Sequence, residues 1–96
     1  MIGDGTYNRR FEKAKKAIWF NFEAKDFDLV WAYYEKEGQW WYCATNKYTL
    51  RLEGCPLIKA RRTELAFTEE EAVERLQKML GKLAASGERL IKKAFH

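Results

Sequence analysis

The chain has little proline (one residue), few glycines (six), two cysteines and a single histidine among its 96 residues. So little proline and glycine excludes collagen-like and linker sequence, and an aromatic share of 16% excludes disorder. Cys43 and Cys55 are too few for a disulfide framework and too widely spaced for a Cys-x-x-Cys redox or zinc motif. The histidine is His96, so a zinc site, a Ser-His-Asp triad and a Cys-His dyad all lack their central member, and neither metal nor cofactor is expected. No apolar run approaches the roughly 20 residues of a membrane span. Met1-Ile2-Gly3-Asp4-Gly5 also lacks the basic-then-apolar order of a signal peptide, so a cytoplasmic protein with no membrane partner is expected. At this length a chain buries on the order of two thirds of its unfolded surface, enough for a single domain over residues 1–96 but hardly for a deep catalytic cleft.

What the chain does have is aromatic and basic. Thirteen of its fifteen aromatic residues fall between Tyr7 and Tyr48, whereas the last third is built from Leu, Ala, Glu, Lys and Arg. Sheet is therefore expected first and helix last. From Thr6 to about Ala17 the residues Tyr7, Phe11, Ala14 and then Ile18 recur at helical steps, with Arg9, Lys13 and Lys16 opposite and Thr6 or Asp4 as N-cap. A strand is expected over Ile18 to Glu23, although Phe22 also continues the helical stripe. Phe27 to Tyr34 alternates as a strand, Glu35-Lys36-Glu37-Gly38 turns the chain, and Gln39 to Thr45 returns through Trp40, Trp41, Tyr42 and Cys43. Asn46-Lys47 is read as a second turn into a strand over Tyr48 to Glu53, with Tyr48, Leu50 and Leu52 on its buried side. That register pairs Tyr42 with Arg51, assigns Trp41 to the core with Trp40 and Tyr42 on the opposite face, and sets Cys43 roughly 16 Å from Cys55.

Phe67-Thr68-Glu69-Glu70-Glu71-Ala72 carries four helix-start signals: a threonine N-cap, a capping-box glutamate, acids at the positive helix end, and Phe67 placed to staple onto Ala72. Val73, Leu76, Met79, Leu80 and Leu83 form the buried stripe. Ser86-Gly87 is expected to break or kink this helix before a last stretch with Leu90, Ile91, Ala94 and Phe95 on one side.

Two groups of residues could make contacts. Arg9, Arg10, Lys13 and Lys16, with Lys15 and Lys25, give residues 1–25 a net charge of +3 against three acids, and Arg51, Lys59, Arg61 and Arg62 form a second basic cluster. Such surfaces track phosphates by releasing counterions, although a solvated helix face is the plainer reading of the first. Trp40 and Tyr42 put large rings on one face of a strand and Trp41 on the other, so one set is exposed unless helices cover both faces. Exposed rings suit base stacking or a protein interface. Glu23-Ala24-Lys25 resembles half of a nuclease metal motif but lacks a second acid beyond Glu12 or Asp4, and Asp26 and Asp28 read equally well as a solvated strand entry.

The order of helix, meander and helix resembles a double-stranded RNA-binding domain, but Glu69-Glu70-Glu71 stands where that family presents lysines to phosphate. The stretch from Phe27 to Leu83, a twisted antiparallel sheet braced by the helix opening Phe67-Thr68-Glu69-Glu70-Glu71-Ala72, also resembles small phage-encoded accessory proteins, anti-CRISPR inhibitors among them. That resemblance implies a stoichiometric blocker of a nucleoprotein machine. This chain is basic where many such inhibitors are acidic nucleic-acid mimics, which leaves surface blockade or direct nucleic-acid contact.

The expected fold is α+β: an antiparallel meander of three or four strands with an N-terminal basic helix and one or two C-terminal helices. The expected function is binding without catalysis, to nucleic acid or a nucleoprotein complex, through Arg9, Arg10, Lys13, Lys16, Trp40, Tyr42, Arg51, Lys59, Arg61 and Arg62. A protein partner or homodimer, met through the C-terminal helix and exposed rings, is the competing class.

Overall fold

The computed structural model describes residues 5–96, with side chains from Tyr7 onward. In chain order the elements are α1 (Gly5–Lys13), β1 (Lys15–Asn21), β2 (Asp26–Glu35), β3 (Trp40–Ala44), a 3-10 helix (Lys47–Arg51), β4 (Ile58–Ala60), a second 3-10 helix (Arg62–Glu64), β5 (Leu65–Ala66), α2 (Glu69–Leu80) and α3 (Ala85–Phe95). The fold is α+β, with five antiparallel strands where three or four were expected. Among the described residues no helix is long and apolar enough to cross a membrane.

The strand order is β4-β3-β2-β1-β5. β2 is the longest strand and serves both neighbours, pairing through Asp26–Ala32 with β1 and through Trp31–Glu35 with β3. The two edge strands, β4 and β5, are joined by residues 61–64 alone. Five flat strands would separate their edges by about 19 Å at the usual strand spacing of about 4.8 Å. A link with three residues in a 3-10 helix, rising only about 2 Å each, is far shorter, so the sheet must curl until its edges approach.

Curling gives the two faces different sizes of side chain. The inner face is lined by Ala17, Val30, Ala32, Cys43, Ala60 and Leu65, all fully buried, with Trp19, Trp41, Ile58 and Phe67 packed round them. Three of those six residues are alanine because little space remains inside a tightly curled sheet. The outer face carries Ile18, Phe20, Phe27 and Leu29 at its β1 end, covered by Leu76 and Met79 of α2 and Ile91 and Ala94 of α3. Burying Phe20 alone contributes about 1.5–3 kcal/mol.

Several expectations are corrected. α1 ends at Lys13, so Lys16 lies on β1 and not on a helix face with Arg9 and Lys13. The β-prone run from Ala17 to Phe20 carries its neighbours into seven successive pairings with β2, which a short helix cannot match. α1 includes Thr6, and the alternative cap Asp4 lies outside the described residues. The strand expected over Tyr48 to Glu53 is a 3-10 helix. The Asn46 side chain accepts from the Tyr48 N–H at 2.9 Å and so caps a helical turn, which overrides the alternation of Tyr48, Leu50 and Leu52. Of those three only Leu50 is buried, and Tyr42 pairs with Tyr33 and Lys59, not Arg51.

The C-terminal helices differ in where they separate. α2 stops at Gly81, in the left-handed region at φ 74°, and Ser86 and Gly87 lie inside α3. Gly87 is buried, and a methyl there would come 2.3 Å from the Leu76 Cδ2, so the glycine lets the two helices approach. Thr68 caps α2 by accepting from the Glu71 N–H at 3.2 Å, and the Glu71 carboxylate accepts from the Phe67 N–H at 3.0 Å. Phe67 does not staple onto Ala72. Its ring packs on Trp41, centroids 4.8 Å apart, in the inner cluster, while Ala72 belongs to the outer one.

Candidate nucleic-acid interface

The outer face has a second half, toward β3 and β4, that α2 and α3 do not cover. Strand alternation sends Tyr33, Glu35, Trp40, Tyr42 and Lys59 to this face, in two rows set by register: Tyr33 beside Tyr42 beside Lys59, and Glu35 beside Trp40. Arg61, just past β4, continues the second row and places its guanidinium carbon 3.9 Å from the centre of the Trp40 ring. Lys59 Nζ stands 5.8 Å from Trp40 and 6.0 Å from Tyr42. Each such contact contributes about 0.5–1 kcal/mol at exposed positions, enough to order the side chains without fixing them. Lys59 and Arg61 are exposed, and Trp40 and Tyr42 half-buried.

Arg10 approaches the same rings from α1 but is committed there. Its guanidinium lies between Tyr7 and Tyr42, 5.1 and 4.9 Å from the ring centres, and pairs with Glu35 at 3.5 Å. This arginine pins α1 to the sheet, and Glu35 neutralises it. Beyond it the 3-10 helix from Lys47 to Arg51 carries a further cluster. Lys47 lies 4.8 Å from Phe11 and 4.7 Å from Trp31, Arg51 lies 4.8 Å from Phe11, and the Tyr48 ring sits 5.1 Å from Phe11. Tyr48 is 63% exposed.

Of the ten contact residues expected, Trp40, Tyr42, Lys59, Arg61 and Arg10 come together on this face. Arg51 lies with Phe11 in the neighbouring cluster. Arg9 and Lys13 are exposed on α1, and Lys16 is exposed opposite Trp31 on the outer face. Arg62 is elsewhere: it donates to the Leu65 carbonyl at 3.0 Å and to Glu71 at 2.7 Å, and covers the Phe67 ring, so it ties the β4–β5 link to α2. Phe11, Lys47 and Tyr48 were not expected at a contact surface, since pattern placed Phe11 on a helical stripe, Lys47 in a turn and Tyr48 beside Leu50 on a strand, and the capped turn that gathers them depends on one asparagine side chain. Nothing among protein-family models, curated proteins or solved structures matches the chain.

Elsewhere the structure offers less chemistry. Among the described residues no three His, Cys, Asp or Glu side chains converge. A cavity of about 300 Å³ lies beside β3 and β4, lined by Cys43, Ala44, Thr45, Thr49, Pro56, Leu57 and Ile58. Its one titratable group is Cys43, whose thiol burial, with Glu64 adding, pushes up to about 12. Both cysteines are free. Asp26 and Asp28 are exposed and accept from the N–H groups of Phe27 and Leu29, which gives them an ordinary structural role. Glu23, Ala24 and Lys25 form the exposed β1–β2 turn.

Proposed function

We propose that the protein is a non-catalytic binding module that contacts nucleic acid, free or within a nucleoprotein complex, through the outer face of β3 and β4. The observation that carries this reading is the row in which Arg61 lies on Trp40 and Lys59 reaches both Trp40 and Tyr42. Cations beside half-buried rings on a sheet face that α2 and α3 leave open combine the two elements a nucleic acid meets, charge for phosphate and flat apolar surface for bases. The resemblance to small phage accessory proteins adds a setting: a cytoplasmic inhibitor that blocks a defence complex by occupying its nucleic-acid surface.

Titration of fluorescently labelled nucleic acid with the protein at rising salt tests this. Affinity should fall steeply with salt, and Lys59→Ala and Arg61→Ala should each weaken it while the circular dichroism stays unchanged. A salt-independent association would instead favour the second reading, a protein partner. That reading draws on the cleft of about 140 Å³ between α2 and α3, lined by Val73, Leu83 and Ile91 with Glu69, Glu88 and Lys92 at its rim.

A further inference from the structure

Resting on the nucleic-acid reading above, we propose that this face takes unpaired, single-stranded nucleotides in preference to a duplex, with the Arg61 guanidinium and the Trp40 and Tyr42 rings as its stacking platform. Three observations lead there. Trp40 and Tyr42 are two residues apart on one strand face, hence roughly 6.8 Å apart. Arg61 covers the Trp40 ring and Arg10 takes one side of Tyr42, so bases rest on the outer side of Arg61 and on the side of Tyr42 that Arg10 leaves. Successive nucleotides of a stacked strand in a duplex are only about 3.4 Å apart, so bases at these two points must be splayed out of a stack, which paired bases cannot do. Arg61 lies 3.9 Å from the Trp40 ring centre and is itself exposed, so its outer side presents a second planar surface, and guanidinium planes stack on bases as rings do.

The features that would grip a duplex are weak. A helix that enters or straddles a groove needs a row of free cations, and α1 offers Arg9 and Lys13 only, because Arg10 is held beneath by Tyr7, Tyr42 and Glu35. The N-terminus of α2 presents Glu69, Glu70 and Glu71, which repel phosphate. On the sheet, charge and stacking surface meet at Trp40, Tyr42, Lys59 and Arg61. Past Arg10 the face runs on toward Phe11 and Tyr48, where Lys47 and Arg51 again flank a ring, so a strand leaving Tyr42 meets a second stacking point of the same composition.

The experiment is fluorescence anisotropy of the whole protein with a labelled oligothymidylate of about 12 nucleotides, within the range one small domain covers, against a hairpin duplex of equal charge. At about 0.1 M salt, where the screening length is about 10 Å, the single strand should bind at least roughly tenfold tighter. Tryptophan emission should be quenched by the single strand, and Trp40→Phe should remove most of that quenching. Arg61→Lys, which keeps the charge and loses the plane, should cost nearly as much affinity as Arg61→Ala. Equal or tighter duplex binding, or full recovery in Arg61→Lys, overturns the single-strand proposal while leaving nucleic-acid binding in place. Absence of binding to either probe at low salt overturns both.

Discussion

Cys43 and Cys55 show how far the surroundings of a single side chain set its chemistry. Cys43 sits sealed inside the curled sheet with its thiol raised to about 12, whereas Cys55 is half-exposed. At neutral pH a disulfide reagent should therefore label one thiol per molecule quickly and the second only on unfolding, because the attacking species is the thiolate. Two thiols reacting at one rate would show that the inner face is open. Glu71 is the acid-side counterpart. Burial alone would raise its carboxyl, but the Phe67 N–H and the Arg62 and Arg75 guanidiniums outweigh it and hold it below the ordinary 4.5. A group depressed in the folded state stabilises fully above its unfolded value and loses that contribution as pH falls through the lower folded one. Glu71→Gln should thus be less stable than the parent at neutral pH, with the gap closing as the pH drops below about 4.5. A gap that stays constant down to the acid transition would remove the ion pairs from the account. Gly87→Ala is the sharpest test of packing, since the added methyl meets Leu76 at 2.3 Å. It should cost about 1–3 kcal/mol, and part of that loss should return in the Leu76→Ala background, where space has been made.

Among the elements, α2 was the most legible in sequence, because its cap, acids and stripe are local signals and local signals survive folding. Thr68→Ala should lower stability by about 1 kcal/mol, read from the denaturation midpoint; an unchanged midpoint would mean that the Thr68 hydroxyl bond to Glu71 contributes nothing. β2 and β3 were also visible through alternation and the polar turn between them. Other elements were not, the short 3-10 helix at Arg62–Glu64 among them. β4 is three residues long and sits in a basic stretch with no period of its own, so only its partner β3 defines it. β5 is two residues whose place beside β1 is imposed by the curl of the sheet. The 3-10 helix after Asn46 carried a strand-like alternation that one capping bond overruled. The candidate site followed the same division. Trp40, Tyr42, Lys59 and Arg61 were all identified, but their meeting was not, because it needs the pairing of β3 with β4 that the expected strand at Tyr48 displaced. The β2–β3 turn offers its own check: Gln39 adopts φ 56°, which glycine takes without strain. Gln39→Gly should leave the denaturation midpoint unchanged or raised, the relief of strain offsetting the added flexibility of the unfolded chain, and a lowered midpoint would show that Gln39 is not strained there.

For the molecule as a whole, exposed cations fall into groups: Lys59 and Arg61 at the β4 side of the outer face, Lys16 on β1, and Arg9 and Lys13 on α1. Removing Lys59 should reduce the slope of log affinity against log salt by about 0.7 if its ammonium meets a phosphate. Reversing Arg9, Lys13 and Lys16 to Glu should act only through the long-range field, so its effect should fade once salt shortens the screening length to a few ångströms. An effect of Arg9, Lys13 and Lys16 that persisted in high salt would move the contact surface onto α1 and the start of β1.

The closure of the sheet also decides when the molecule can be made. β1 is completed early, yet its outer partner β5 and the helices that cover Ile18 and Phe20 come from the last third of the chain. Contacts that join such distant segments form slowly, because the intervening chain must be ordered before they contribute any stability. On the ribosome, therefore, the first four strands emerge with a bare apolar surface that stays exposed until α2 and α3 have left the ribosome and docked. That interval, more than the finished fold, is when exposed apolar surface leaves this protein most open to aggregation.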